Sequence, residues 1–600
     1  MALEQYYDII DQLIVTQSNF NPFPADETFW SQIPMEIQRE AVREGEKYLN
    51  YDWGNIPALQ YMEFKRSGNR KSYENLNFAR RIALCCLTVA ECVERKNRFT
   101  DDIINGIWCI CEESSWVLPA HNGGLILPNV QKPSIDIFSA QTAASLALCI
   151  YLLKPQLKAV SSLIADRVEY EITRRIINPF LNNQFHWMGG NKRIAASNWT
   201  PWCTSTCLTA CLIIERDKNK RAEFVKKSMQ ILDYFIDSYP EDGGCNEGAE
   251  YWYQAAGCMF DTLEMLMSAT SGAVNIYSDP KIKNMGSYIY KVYMCGKYFA
   301  NFADCSVSAS KGGARTYLYG MRVKDTHLAA FGANDYLITN AKTMPNTMNM
   351  IHKLMAMCYA REICSSQIGY QDFPRTSYYI DSLQLLCVRN EIFQIAAKGG
   401  NNGDNHNHND VGSFMVYYEN EPFLIDVGVE TYSQATFSAD RYGIWTMRSA
   451  YHNLPTVNGV MQSDGREFAA KDVSHDDTSL TCDISGAYSP DSGIVSWIRT
   501  VELIDNTVSL NESFVFESPT DDVTLTLMAW HKPLIKSEYV LIDDVMIEYP
   551  DILSATFEVM EISDDEKLSP VWGECIYRIL LKLKKPVQSG TIDLNIHRAT

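Results

Sequence analysis

Histidine is scarce in this chain: ten in 600 residues. Positive charge is also short, with 53 Lys and Arg against 73 Asp and Glu and a net charge of −20. That deficit argues against nucleic acid as a partner, which would need a basic footprint. A polyanionic ligand would need a local basic cleft to overcome the same field. No apolar run approaches the roughly 20 residues of a membrane span, so no membrane partner is expected. Met1-Ala2-Leu3-Glu4-Gln5-Tyr6-Tyr7-Asp8 lacks a basic stretch followed by an apolar one, so no signal peptide is expected. The expected location is cytoplasmic, and secretion would require that the N-terminus has been truncated. Eighteen cysteines are present without any paired CxxC ladder. Cys85, Cys86, Cys203, Cys207 and Cys211 lie in apolar helical runs, where Cys acts as a small hydrophobe. The fourfold spacing of the last three would allow a thiolate site, but buried core thiols are the reading adopted. No internal repeat or low-complexity segment is evident.

What is present describes a multidomain globular chain. Six hundred residues exceed one comfortable core, so two or three domains are expected. Aromatics make up 12%, including 12 Trp and 33 Tyr, which suits a carbohydrate cleft but is also absorbed by a large core. Helical apolar spacing recurs over 77–95, 101–115, 134–154, 157–177, 203–216, 221–238, 250–270, 282–301 and 346–363. Amphipathic helices of this length stack as antiparallel hairpins, in a toroid or equally a solenoid. The character changes after Pro374. Short β-rich runs follow at 385–389, 414–419, 422–427, 496–504, 507–516 and 523–528, separated by turn residues, and predict an antiparallel β-sandwich. The expected layout is a helical domain over 1–370 and a β-sandwich over 380–600, an α+β multidomain chain.

The histidines concentrate where chemistry would need them. Asn401-Asn402-Gly403-Asp404-Asn405-His406-Asn407-His408-Asn409-Asp410 holds two of the ten. Phe423-Leu424-Ile425-Asp426-Val427-Gly428 and Arg448-Ser449-Ala450-Tyr451-His452-Asn453-Leu454-Pro455 follow. Three of these four His and Asp side chains could hold a metal and leave one His for proton chemistry. The plain alternative is a polar turn whose histidines satisfy backbone groups.

These segments, in this order, resemble the heparinase II/III-like family of polysaccharide lyases. Trp116-Val117-Leu118-Pro119-Ala120-His121, Ser197-Asn198-Trp199-Thr200-Pro201-Trp202 and the run from Asp242 to Tyr253 add to the likeness. It spans roughly residues 100 to 460 and is weak before 70 and after 480. The resemblance implies an incomplete (α/α) toroid followed by the sandwich, with the active site between the two. It implies a lyase acting on uronic-acid glycans by β-elimination. Asn198 would neutralise the uronate carboxylate, Tyr251 would act as acid and base, and His406 would accept the C5 proton or polarise the carboxyl group. His408, Asp426 and His452 would bind a metal, Zn2+ by preference and structural in role, with another divalent ion or none in some members. Tyr253 lies two residues from Tyr251, so the register of the tyrosine is open.

Trp116, His121, Trp199 and Trp252 are candidate sugar contacts, and each is also a candidate core residue. Arg441 and Arg448 could grip a substrate carboxylate or sulfate, or form surface ion pairs. As a loop residue alone, Asn198 would precede a helix capped by Thr200 with Pro201 at its first position. Two other functions compete. A glycoside hydrolase on a helical toroid needs two convergent carboxylates, for which Glu247 with Glu250 or Asp242 can be offered. A catalytically silent carbohydrate-binding protein needs neither. The expected partner is an acidic oligo- or polysaccharide. Which uronic glycan it is, its sulfation, endo or exo attack, and any homo-oligomer are left open.

Overall fold

The computed structural model describes residues 2–189, 196–339, 342, 347–366, 376–404, 406–432, 435–438 and 440–599. The switch of character near Pro374 therefore lies outside the described residues. The chain divides into two compact units. The first is Met1–Tyr239, Tyr253–Gly286 and Lys311–Tyr370; the second is Pro240–Trp252, Ser287–Ser310 and Gln371–Thr600.

The first unit is built of antiparallel helix hairpins, the (α/α) toroid arrangement. Helix Trp199–Ile214 packs on Ile137–Leu152, Lys218–Ser238 and Ala256–Ala269. Ile137–Leu152 is apolar on nearly every face, so it must be buried all round. Asp136 starts it: its carboxylate accepts from Ser139 N–H while the Ser139 hydroxyl accepts from Asp136 N–H, a reciprocal cap. Gly313–Val323 and Thr326–Ile338 meet backbone to backbone. A Cβ on Gly320 would stand 2.2 Å from Ala329 N, and one on Gly332 2.2 Å from Tyr317 N. No single helix among the described residues is long and apolar enough to cross a membrane.

Four expected helices break, among them 346–363, which divides into Met350–Cys358 and Ala360–Ser365. The run 282–301 stays helical only to Lys291; Tyr293–Cys295 and Tyr298–Phe299 then pair antiparallel around Gly296, whose φ of 50° reverses the chain. The run 157–177 divides into Lys154–Val160, Leu163–Ile172 and a π-helical turn at Thr173–Ile177. The run 250–270 divides into Ala249–Trp252 and Ala256–Ala269.

The second unit is a β-sandwich. One sheet runs Lys471–His475, Ser479–Asp483, Ile494–Ile504, Thr507–Thr520, Val587–Arg598, Val545–Glu548, Tyr539–Ile542, Leu534–Ile535. The other runs Leu553–Glu561, Cys575–Leu583, Val523–Ala529, Glu421–Leu424, Phe414–Tyr418, Phe393–Lys398, Leu385–Arg389, Thr376–Ile380, with Pro455–Val457 also on Val523–Ala529. Every pairing is antiparallel. Alternate residues of Ile494–Ile504 and Thr507–Thr520 point inward, so the period of two sets which face is core. Phe393, Phe414 and Val416 of one sheet share that core with Trp497, Leu510, Phe514 and Leu594 of the other.

Within the core lies one ion pair, Arg499 with Glu512, directly opposed across two strands. Arg499 Nη1 also donates to Gly412 O at 2.8 Å and to Asn453 O at 2.6 Å. The sheet thereby holds the segments that carry His408 and His452. Gln462 adds a second tie, donating to Val411 O at 2.8 Å and accepting from Val411 N–H at 3.0 Å.

Candidate active site and metal centre

His406 and His408 are two residues apart but face different neighbours. His406 has a left-handed φ of 55°, and this turn separates the two side chains. Asn405, just before it, lies outside the described residues. Both imidazoles reach Asp304: His406 Nδ1 at 2.8 Å from Oδ2, His408 Nε2 at 3.1 Å from Oδ1. Arg441 Nη2 donates to the same Oδ1 at 2.6 Å. Burial would raise the Asp304 carboxyl, but the bonds from His406, His408 and Arg441 outweigh it and hold it far below the usual carboxylate range.

His408, Asp426 and His452 offer ligand atoms that all lie within 4.8 Å of one another. His452 Nδ1 is 2.9 Å from Asp426 Oδ2, while its Nε2 faces Thr446 O at 3.1 Å. Asp426 Oδ1 accepts from Gly428 N–H at 2.9 Å. His408 Nδ1 is buried with no protein partner, a costly state for a ring nitrogen unless something binds there. Each histidine thus spends its outer nitrogen on an oxygen acceptor and turns the inner one to a common point. Such outer-sphere contacts are what orient metal-binding imidazoles. The residues fit a divalent metal with N and O ligands.

A second group, Cys258, Asp261 and His352 in the helical unit, passes the same distance test. It does not fit a metal. Arg315 Nη1 already sits at its centre, 3.1 Å from Asp261 Oδ2, 2.9 Å from His352 Nε2 and 4.0 Å from Cys258 Sγ. Gly257 makes room for that guanidinium, since a Cβ there would stand 2.5 Å from Arg315 Nη2. Tyr253 belongs to this cluster, with its hydroxyl 2.9 Å from His352 Nδ1 and its ring under Arg315.

Tyr251 instead faces His406, the rings stacked at 4.6 Å between centroids. Its hydroxyl is 2.7 Å from the Tyr432 hydroxyl. Gly248, at φ 88°, starts the short turn that carries it and leaves no space for a Cβ against Cys305. Glu250 locks the turn by accepting from Ser306 N–H at 2.8 Å. Burial pushes the Tyr251 hydroxyl well up, so the phenol is a proton donor at neutral pH.

Among solved structures, heparinase III matches with a TM-score of 0.61 at 12% identity, over 100% of this chain and 89% of that one. The heparan sulfate lyase HepC of Pedobacter heparinus matches at 0.59 and 12%, over 99% and 87%. The chain has the heparinase III fold. A chondroitin AC lyase of Streptomyces coelicolor also matches, at 0.51 and 10%, over 94% and 82%. Neither a family model nor a curated protein sequence matches.

The other expected residues of the heparinase III fold are placed as follows. Asn198 is buried ahead of helix Trp199–Ile214, in the helical unit, and makes no side-chain cap. Thr200 does not cap either: it lies inside the helix and donates to Trp187 O at 2.8 Å, leaving Pro201 at the third helical position. His121 is held by Asp136 at 2.8 Å and packs edge-on to the half-buried Trp199 at 4.7 Å. Trp116 and Trp252, candidates for sugar contact or for core, are each 1% exposed. The Trp116 N–H is spent on Ile110 O, and Arg175 covers its ring. Arg441 donates to Asp304, Asn407 O and Thr436 O, and Arg448 to Tyr442 O and Gly443 O. Both brace the protein's own backbone. Of the carboxylates offered for hydrolysis, Glu250 is taken by Ser306 and Asp242 by Gly244 and Ser382. Glu247 Oε2 lies 3.7 Å from His406 Nε2.

Asp304 and Tyr432 escaped sequence reasoning. Asp304 meets its partners across 102 and 104 residues and sits in no recognisable motif. Tyr432 had a weak signal, as an aromatic six residues after Asp426.

Proposed function

We propose that the protein is a polysaccharide or oligosaccharide lyase that cleaves uronic-acid-containing glycans by β-elimination. The observation that carries the reading is the stack of Tyr251 on His406, within a chain of heparinase III fold. A weakly acidic C5 proton must leave toward a base while the 4-linked oxygen receives a proton. In this reading His406 takes the C5 proton. The C5–H electron pair forms the C4=C5 double bond, the C4–O bond breaks, and Tyr251 protonates the departing oxygen. Asn198 is assigned the uronate carboxylate, whose charge must be neutralised as the proton leaves. Heparinase III, heparan sulfate lyase and chondroitin AC lyase among the structural matches support an acidic polysaccharide as the substrate class.

His408, Asp426 and His452 would hold the divalent metal, zinc by ligand preference. When bound it supplies structural cross-linking of the three segments. The helical and sandwich domains are assigned to 1–370 and 380–600.

Incubation of the purified chain with a panel of heparan, chondroitin, hyaluronan and alginate tests the reading. A lyase yields products with the ultraviolet absorbance of a C4–C5 unsaturated uronate. New reducing ends without that chromophore would establish a hydrolase instead, and binding without cleavage a silent carbohydrate-binding protein.

A further inference from the structure

Asp304 is fully buried and serves three side chains at once. Oδ2 faces His406 Nδ1 at 2.8 Å, while Oδ1 faces His408 Nε2 at 3.1 Å and Arg441 Nη2 at 2.6 Å. Its backbone N–H donates to His406 O at 3.1 Å. Arg441 adds bonds of 3.1 and 2.9 Å to Asn407 O, the peptide between the two histidines. The carboxylate is therefore gripped through both side chain and backbone. Nearby Asn301 donates to Asp426 O at 3.1 Å, so the same short segment also holds the stretch that carries Asp426.

An ionised carboxylate only accepts hydrogen bonds. Both imidazoles must therefore turn an N–H toward it. His406 then carries its proton on Nδ1 and His408 on Nε2, opposite tautomers imposed by the two oxygens of one group. The lone pairs fall on His406 Nε2 and His408 Nδ1. The first is on the side of Glu247, beside the Tyr251 ring. The second is the buried nitrogen without a protein partner, directed at Asp426 and His452. A carboxylate needed only to balance Arg441 would not have to spend its other oxygen on His406.

We propose that Asp304 is a positioning residue that assigns both tautomers, making His406 a base at Nε2 and His408 a metal ligand at Nδ1. It touches no reacting atom. The His406 half rests on the lyase reading; the His408 half stands without it.

Long-range proton–nitrogen NMR on the metal-free full chain, labelled with nitrogen-15 in histidine and held above the titration range of histidine, reads the tautomers directly. The pattern lost in His406→Gln is expected to be the Nδ1–H form, and that lost in His408→Gln the Nε2–H form. The reverse at either residue overturns the proposal, and the tautomers are read in the unaltered protein with the two variants serving for assignment, so no Asp304 variant has to fold. In Asp304→Asn, zinc affinity by chelator competition is expected to fall about 10–100-fold. On a uronate substrate kcat is expected to fall by a similar factor with KM within about twofold, the signature of a lost transition-state group. Asp304→Glu should recover part of both. Wild-type zinc affinity in folded Asp304→Asn overturns the proposal. If the wild-type chain eliminates no uronate, the lyase reading fails alone, because the NMR and zinc measurements still decide the role of Asp304.

Discussion

His352 in the helical unit and His408 in the β unit are both buried, and each sits in a group of three potential ligands. The two groups have the same inventory of donor types apart from one cysteine, yet opposite characters. Around His352 the central position is filled by the Arg315 guanidinium, and the imidazole has Tyr253 on its other nitrogen. Around His408 the outer nitrogen is satisfied and the inner one has no protein partner. The first group carries its own cation and is closed; the second is built to receive one. Ligand type and spacing do not distinguish them. What does is whether a fixed positive charge already occupies the centre.

The largest effect expected of this contrast concerns the two tyrosines. Tyr251→Phe should cut elimination by roughly 10²–10⁴-fold, since it removes the proposed proton donor. Stability should fall by no more than about 1 kcal/mol, the net worth of its bond to Tyr432. Tyr253→Phe should leave turnover near normal and cost about 1 kcal/mol of stability, the net worth of its bond to His352. Steady-state kinetics and denaturant unfolding on both variants check the pair. Near-normal turnover in Tyr251→Phe would remove the acid role.

Next is the built-in cation. Arg315→Met leaves the buried Asp261 with His352 alone, 2.9 Å away, and no fixed cation, and should destabilise by roughly 3–5 kcal/mol. Denaturant titration measures this. A neutral result would mean that the closed cluster is not held by its charge.

The metal comes third. Protein purified without added metal should contain a stoichiometric divalent ion, lost in His408→Ala and retained in His352→Ala. Chelation should lower stability by about 4 kcal/mol where free metal had stood a thousandfold above its dissociation constant. Elemental analysis and thermal melts decide it. Equal metal content in the two variants would erase the distinction between the clusters.

The smallest effect is in pH. Burial, then the Arg315 charge, hold the His352 ring below its ordinary value, with Asp261 opposing. The unfolded chain therefore binds more protons at this site. Its contribution to stability is complete above about pH 6.5 and is lost as pH falls through the folded value. Unfolding of wild type and His352→Gln from pH 7.5 downward should show a shallower acid loss in the variant; parallel curves would contradict the sign.

Much of this was legible in the sequence, for reasons that differ by element. Helical apolar spacing exposed helices such as Thr100–Glu112, and strict alternation exposed Ile494–Ile504 and Thr507–Thr520. The helices Gly313–Val323 and Thr326–Ile338 lie outside the recurring helical runs: Gly320 and Gly332 lower helix propensity, and serve instead as contact points between the two helices. The hairpin after Lys291 passed for helix because its Tyr and Met residues continue the apolar spacing. In the site, scarcity made His406 and His408 conspicuous. Asp304 had no such mark: its role exists only through contacts made a hundred residues away, and no local pattern encodes them.

Arg499 carries a consequence for local motion. Its bonds to Gly412 O and Asn453 O cross from one sheet to the segments behind His408 and His452. For either segment to fray, a charged group in the sandwich interior would have to lose an acceptor it has no means to replace. Opening at the histidines is then linked to dissolution of the whole sandwich. Amide protons at Val411 and Asn453 should exchange with solvent at the rate of the global event, not as a loop would, and should slow or quicken together with those of Leu510 and Leu594.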